Sequence, residues 1–279
     1  MSMALVGANV VVARVLAEAL PIPLLLFLRC FLACLVLAPS VIIPRPAMLP
    51  RGGLARNLAL QAAFGTVLYN VALLAGLRRT GALEAGLVLS TMPAVVALGA
   101  FLLLRERLGP RRLIAVALAA LGMAALTVGR TKGAGAAGTL AGDALVFVAV
   151  CGEAAYVLLS KRMSARIGTM SAAFWMQAFS ALFLFPLVIP WSAVGVLGGT
   201  SWRIWLLLIF HSVTASVLCL LLWYRGVRQV PANVAGIVTT LLPATAGLTA
   251  ILFLNEALTP AHVAGFALLL LSIVLAASS

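Results

Sequence analysis

Charge is scarce in this chain, and negative charge scarcest. Only 9% of its 279 residues are charged and the mean hydropathy is +1.20, whereas a soluble domain carries roughly a quarter charged residues. A water-soluble enzyme is excluded. The six acidic residues and two histidines are dispersed along the chain. A membrane-embedded enzyme acting on lipid would gather such groups at one membrane surface, so that class is disfavoured. The four cysteines, Cys30, Cys34, Cys151 and Cys219, lie in apolar stretches with no CxxC pair and no His cluster nearby. Neither a disulfide framework nor a zinc or other metal site is indicated, and the thiols read as small hydrophobes. The Gly-rich stretch RTKGAGAAGTLAG lacks the GK[ST] ending of a phosphate-binding loop, which argues against direct ATP use. No cofactor and no catalytic residue is implied.

What is present is long hydrophobic runs: 64% of the residues are hydrophobic. Charge and Pro/Gly punctuation divide them into ten segments, approximately 2–20, 22–43, 56–78, 82–104, 111–129, 138–161, 170–190, 202–224, 231–254 and 260–277. One crossing needs ~20 apolar residues, so ten crossings use nearly the whole length. Lipid cannot satisfy backbone N–H and C=O groups, and the runs lack the strict alternation of barrel strands. The expected fold is therefore an all-α integral membrane protein of ten transmembrane helices. The first segment starts at Ser2 without a basic n-region or small-residue cleavage site, and reads as a retained helix. The formal charge of +13 would suggest nucleic acid in a soluble protein. Here the lipid bilayer is the expected partner, no nucleic acid is implied, and the basic residues set orientation. Twelve fall on one side, among them Arg51, Arg56, Arg105, Lys161, Arg162, Arg225 and Arg228, six on the other, and Arg29 lies inside the second span. This bias places both termini in the cytoplasm. Compact loops and the absence of targeting tails fit a bacterial inner (plasma) membrane.

An internal repeat is the most informative feature. Sliding the chain by 150 aligns RRTGALEAGLVLSTMPAVVALGAFLLLRERLGP with RQVPANVAGIVTTLLPATAGLTAILFLNEALTP without a gap, matching Pro93 with Pro243, Glu106 with Glu256 and Pro110 with Pro260. Earlier in each half an offset of 147 matches Phe27 with Phe174 and Pro39 with Pro186. The chain reads as one unit duplicated: residues 1–130, a flexible linker over 131–140, and residues 141–279. Five spans is an odd number, so the second copy enters the membrane inverted. Two inverted copies can exchange conformations about a site near the midplane, which is the basis of alternating access.

These features resemble the drug/metabolite transporter superfamily, specifically its EamA-type members. The resemblance covers essentially the whole chain. It is carried by TMPAVVALGAFLLLRERL, LLPATAGLTAILFLNEALTPAHVAGFALLL and GDALVFVAVCGEAAYV, and most specifically by the paired Pro…Glu-x-Leu-x-Pro pattern. It implies a ten-helix inner-membrane carrier, often an exporter of amino acids or related metabolites, with a central cavity lined mainly by spans 1, 3, 4, 6, 8 and 9. This sequence departs from the family where members carry Trp-Gly in span 1 and Trp in span 6: those positions read Val6-Gly7 and Glu153.

Glu153 lies near the middle of span 6, where an ionised carboxylate is costly unless paired or hydrated. It is the leading candidate for proton coupling or for a counter-ion to an ammonium group. A locally bonded Glu near Tyr156 is the structural alternative. His211 in span 8 can titrate or join helices. Arg29 has no acidic neighbour in sequence, and snorkelling or a carbonyl contact is expected ahead of an anionic substrate group. Asn9, Tyr69, Asn70, Ser90, Thr91, Tyr156, Thr214, Trp223, Thr239 and Thr240 supply polar or aromatic groups on the spans that the resemblance places around the cavity. For any one Ser or Thr, interhelical bonding is the favoured explanation. Pro93 and Pro243 are expected to kink spans 4 and 9. Glu84 is expected to pair with Arg78 or Arg79, and Glu106, Glu256 and Thr259-Pro260 read as helix-corner residues. Gly86, Gly99, Gly236 and Gly247 should allow close helix contact. The reading is a secondary transporter, an exporter of small polar metabolites such as amino acids. Alternatives are a multidrug or cationic-compound exporter of the same fold and a non-transporting scaffold. A homodimer is compatible with it, though no motif marks one.

Overall fold

A computed structural model describes residues 1–42, 50–80, 85, 88–106, 109–130, 139–163, 165–189, 199–242, 244–245, 248 and 259–277. Among these residues there are helices and no strand. In chain order the helices are α1 (Ser2–Ala8), α2 (Val10–Ala19), α3 (Ile22–Ile42), α4 (Gly53–Leu77), α5 (Met92–Leu104), α6 (Pro110–Arg130), α7 (Leu140–Met163), α8 (Thr169–Val188), α9 (Trp202–Val227), α10 (Ala232–Val238) and α11 (Pro260–Ala277). The lengths follow from long apolar runs in which every backbone group is satisfied inside its own helix.

Their ends have local causes. Leu20 is extended (φ −129°, ψ 142°) because Pro21 follows it, and the residue before proline is pushed out of the helical region. Gly52, at φ +58°, turns the chain into α4 through a conformation that disfavours a side chain. At the start of α11, Thr259 and His262 bond reciprocally: the Thr259 N–H reaches His262 Nδ1 (3.2 Å) and the His262 N–H reaches Thr259 Oγ1 (3.3 Å). This is a capping box built with His in place of Glu.

Among the described residues, five helices, 20 to 26 residues long, are long and apolar enough to cross a membrane: Ile22–Val41, Gly53–Leu77, Leu140–Met163, Thr169–Val188 and Trp202–Val227. Three of the expected continuous spans are interrupted. Span 1 breaks at Asn9, whose Nδ2 donates to Leu5 O (2.9 Å); an Asn side chain competes in this way with the backbone ladder. Span 4 turns at Ser90-Thr91 and span 9 at Thr239-Thr240. Pro93 consequently does not kink the middle of a helix. It occupies the first turn of α5, where its missing N–H would have had no partner anyway. Pro243, Glu84, Glu256, Gly86 and Gly247 lie outside the described residues.

The helices pair as α6 with α11, α3 with α8, and α4 with α7, while α5 packs on α7 and α10. Close approach is set by small residues. A Cβ on Gly99 would sit 2.5 Å from Leu158, and one on Gly236 2.6 Å from Val96. Large apolar side chains such as Leu103, Phe185, Leu270 and Val274 face outward, as a lipid-facing surface requires. The polar residues turn inward: Gln61, Ser160, Ser180, Ser212, Asn233 and Thr240 are fully buried. Two helices carry a π-helical segment, Ala63–Leu68 in α4 and Ser212–Leu218 in α9. Apart from Ser212, the second lies 150 residues after the first.

Candidate functional site

The π segments matter because they border a cavity. Such segments interrupt the ordinary helical ladder and recur at functional sites. Here each leaves a carbonyl that a side chain takes up: Asn70 Nδ2 donates to Thr66 O (2.6 Å) and Gln177 Nε2 to Ser216 O (2.8 Å). The cavity has a volume of about 170 Å³ and is walled by α1, α3, α4, α7, α8 and α9, with Leu242, just past the turn of span 9, also in its lining. That volume admits several waters or a compact solute.

From α7 come Glu153 and Tyr156, three residues apart and so on one helix face. Tyr156 stacks on Trp223 of α9, with ring centroids 6.0 Å apart and planes 24° apart. Trp223 is fixed in turn by its Nε1–H, which donates to Ser160 Oγ (3.2 Å), while Ser160 donates to Val157 O (2.8 Å). Gly65 of α4 makes room for this aromatic pair, since a Cβ there would lie 2.8 Å from Tyr156. Thr66, beside it, accepts from Ser180 Oγ (3.0 Å).

Glu153 makes no hydrogen bond or ion pair to another described residue. The Tyr69 and Tyr156 side chains are its electrostatic neighbours. Its carboxyl group therefore opens onto the cavity. From α3 comes Arg29, whose Nε is buried without a hydrogen-bond partner.

Of the residues singled out from sequence, Glu153, Tyr156 and Trp223 line this cavity, and Tyr69 stands beside Glu153. Asn9, His211 and Thr214 meet in a separate buried hub. Thr214 Oγ1 donates to Asn9 Oδ1 (2.8 Å), and His211 Nδ1 lies 3.3 Å from the same oxygen. The hub ties the α1–α2 break to α9 and is not part of the lining. Thr91, Thr239 and Thr240 turn their hydroxyls back to Val88, Gly236 and Ile237 carbonyls at 2.6–2.7 Å. Ser90 is buried. No cluster of three or more His, Cys, Asp or Glu that could hold a metal is found among the described residues.

Beyond the cavity, two charged side chains hold the corner between α9 and α10. Lys161 Nζ, at the end of α7, donates to Val227 O (3.0 Å), Arg228 O (3.3 Å) and Val230 O (2.6 Å). Glu106 accepts the Ala232 N–H (2.8 Å) and the Asn233 N–H (3.2 Å) at the start of α10. A cation on terminal carbonyls and a carboxylate on leading N–H groups both complement the helix dipole.

The sequence profile of the EamA-like transporter family matches residues 1–128 and, separately, 140–278. The chain belongs to the EamA-like transporter family. It is thus a member of the drug/metabolite transporter superfamily and a multi-pass membrane transporter. It is 30% identical over 270 residues to the uncharacterized transporter YetK of Bacillus subtilis (strain 168), covering 95% of this chain and 81% of that one. Its fold matches a protein crystal structure with a TM-score of 0.82 at 19% identity, over 99% of this chain and 93% of the other.

Within this EamA-like transporter, sequence reasoning missed Gln177, Met176, Thr66 and Ser216 as cavity residues. One signal was available: under the offset of 147 Met176 aligns with Arg29, and under the offset of 150 Ser216 aligns with Thr66. Residues that match across the two halves come together at one cavity.

Proposed function

We propose that this transporter is a secondary exporter of small polar metabolites, amino acids or close analogues, working by alternating access between two inverted five-helix halves, residues 1–130 and 141–279. The single observation that carries the reading is an unpaired carboxylate, Glu153, opening onto a cavity walled by matched positions of both halves. An ionisable group inside a membrane span is retained for a function more often than for stability. Inversion is supported by the corners of the fold. The corner after α4 is bonded to the first turn of α7 through Thr139 and Asp143, and the matched corner after α9 to its last turn through Lys161. Asp143 and Lys161 are separated by roughly 27 Å along that helix at 1.5 Å per residue, so matched corners sit at opposite ends. Glu153 is the proton-coupling group or the counter-ion of a substrate ammonium. Both termini lie in the cytoplasm and the setting is a bacterial inner membrane.

A second reading, export of cationic compounds, is favoured by the Tyr156–Trp223 stack beside Glu153, since aromatic faces attract cations. The test is counterflow in proteoliposomes with a labelled amino-acid panel and a set of organic cations, with and without a pH gradient, for wild type and Glu153→Gln. Saturable exchange of an amino acid, with gradient-driven accumulation lost in the variant, is the expected result. Exchange of the cations alone selects the second reading. Movement of neither class while a control carrier works rejects both and leaves a scaffold.

A further inference from the structure

Building on that reading, we infer that Arg29 is the anion-binding pole of the cavity and Glu153 its cation-binding pole, so that the site takes compact zwitterions bearing both a carboxylate and an ammonium group. The matched positions of the two halves carry the argument. Under the offset of 147, Arg29 aligns with Met176 and Val6 with Glu153. All four line the same cavity. Each half therefore contributes one charged group, of opposite sign, at positions that are not equivalent, and the uncharged member of each pair is apolar.

From sequence, snorkelling or a carbonyl contact is expected of Arg29 ahead of an anionic substrate group. Its Nε is buried without a partner, and its neighbours are the Cys30 thiol, which its side chain hydrogen-bonds, and the His211 imidazole, neither an anion. No ion pair joins it to Glu153 or to another carboxylate among the described residues. Two charges that face one cavity without an ion-pair partner among the described residues cost desolvation that water or a solute offsets. A guanidinium offers a planar fork of donors that fits a carboxylate, and Glu153 with the adjacent Tyr156–Trp223 stack offers an ammonium site. A zwitterion satisfies both poles together. A monocation leaves Arg29 unpaired and is repelled by it, and a monoanion leaves Glu153 in the same position, so the pair rejects singly charged solutes as well as accepting dipolar ones.

The experiment uses the full chain in proteoliposomes. The best-moved member of an amino-acid panel is compared with its amide, which keeps only the cation, and with its N-acetyl derivative, which keeps only the anion. Wild type should favour the zwitterion over either derivative. Arg29→Met, which installs the residue of the matched position, should shrink the zwitterion-to-amide ratio of kcat/KM by roughly tenfold to a hundredfold, the worth of one charge-assisted hydrogen bond. Arg29→Lys should preserve much of the ratio, and Glu153→Gln should shrink the zwitterion-to-N-acetyl ratio instead. An unchanged ratio in a transporting Arg29→Met protein overturns the inference and leaves the transport reading standing. If Arg29→Met fails to fold, the wild-type ratio decides: an amide moved as well as its parent overturns the dipolar site. Movement of no amino acid overturns the metabolite reading and the dipolar site with it.

Discussion

Among the described residues, the corner that follows α4 and the matched corner that follows α9 show different contacts. After α9, Lys161 bonds three carbonyls and Glu106 bonds two N–H groups. After α4 the contacts among the described residues include Thr80 Oγ1, which donates to Asp143 (2.5 Å), and Thr139, which donates to Arg79 O through both its N–H (3.0 Å) and its hydroxyl (2.7 Å). The sequence offers the first corner the same devices, because Arg14 matches Lys161 under the offset of 147 and Glu106 matches Glu256 under 150, although Glu256 and the Arg14 side chain lie outside the described residues. In the alternating-access reading proposed above, the charged latch after α9 holds one end of the molecule and the contacts after α4 hold the other.

The largest expected effect comes from cutting that latch. Glu106→Ala and Lys161→Met each remove a helix-end interaction worth about 1 to 2 kcal/mol, and a combined loss of about 3 kcal/mol shifts a two-state population by roughly a hundredfold. Cys219 lines the cavity and is almost fully buried, which makes it a native reporter once Cys30, Cys34 and Cys151 are replaced. Its labelling by a membrane-impermeant maleimide should accelerate in the double variant from the latch side. Thr139→Ala should accelerate it more weakly and from the opposite side. Acceleration from one side in both would mean that the two corners are not alternates.

A smaller effect should separate the matched cavity positions Gly65 and Ala215. Both line the cavity from a π segment, but only at Gly65 would a Cβ meet the Tyr156 ring, at 2.8 Å. Gly65→Val should therefore cost about 1 to 3 kcal/mol of overpacking, seen as a lower melting temperature of the purified protein, together with loss of transport. Ala215→Val should lower the melting temperature less. Equal losses would show that the two π segments present the same surface to the cavity, contrary to the contact with Tyr156.

How far the sequence reveals all this depends on which forces act. The long helices were legible because hydropathy and backbone satisfaction act residue by residue: the expected 260–277 and 202–224 correspond to α11 and to most of α9. The breaks were not, because Asn9 ends α1 by bonding its own helix and then accepting from Thr214, 205 residues away. That partner is invisible to any local pattern. Glu153 stood out by its depth, and Tyr156 and Trp223 by their aromatic character on expected cavity spans. Arg29 reads as a snorkelling or carbonyl-bonded side chain because nothing local says which way an arginine turns one to two turns inside a helix. Its placement becomes legible only when the two halves are laid over each other and both members of the Arg29/Met176 pair are seen to share a cavity.

The smallest expected effect concerns the turns that interrupt spans 4 and 9. The Thr239 and Thr240 hydroxyls donate to Gly236 O (2.6 Å) and Ile237 O (2.7 Å), three residues back in their own chain. A hydroxyl satisfied in this way offers its donor to no solute and contributes little to joining helices, where such bonds average about 0.6 kcal/mol. Thr239→Val keeps the shape and removes only that bond, so its melting temperature should stay close to wild type, within about 0.5 kcal/mol of stability, and its transport KM should be unchanged. The same substitution logic applied to Thr66, whose oxygen accepts from Ser180 within the cavity wall, should raise KM more than Thr239→Val does. A rise in KM at Thr239 equal to that at Thr66 would place span 9's turn in the binding site and move the centre of the cavity away from the π segments.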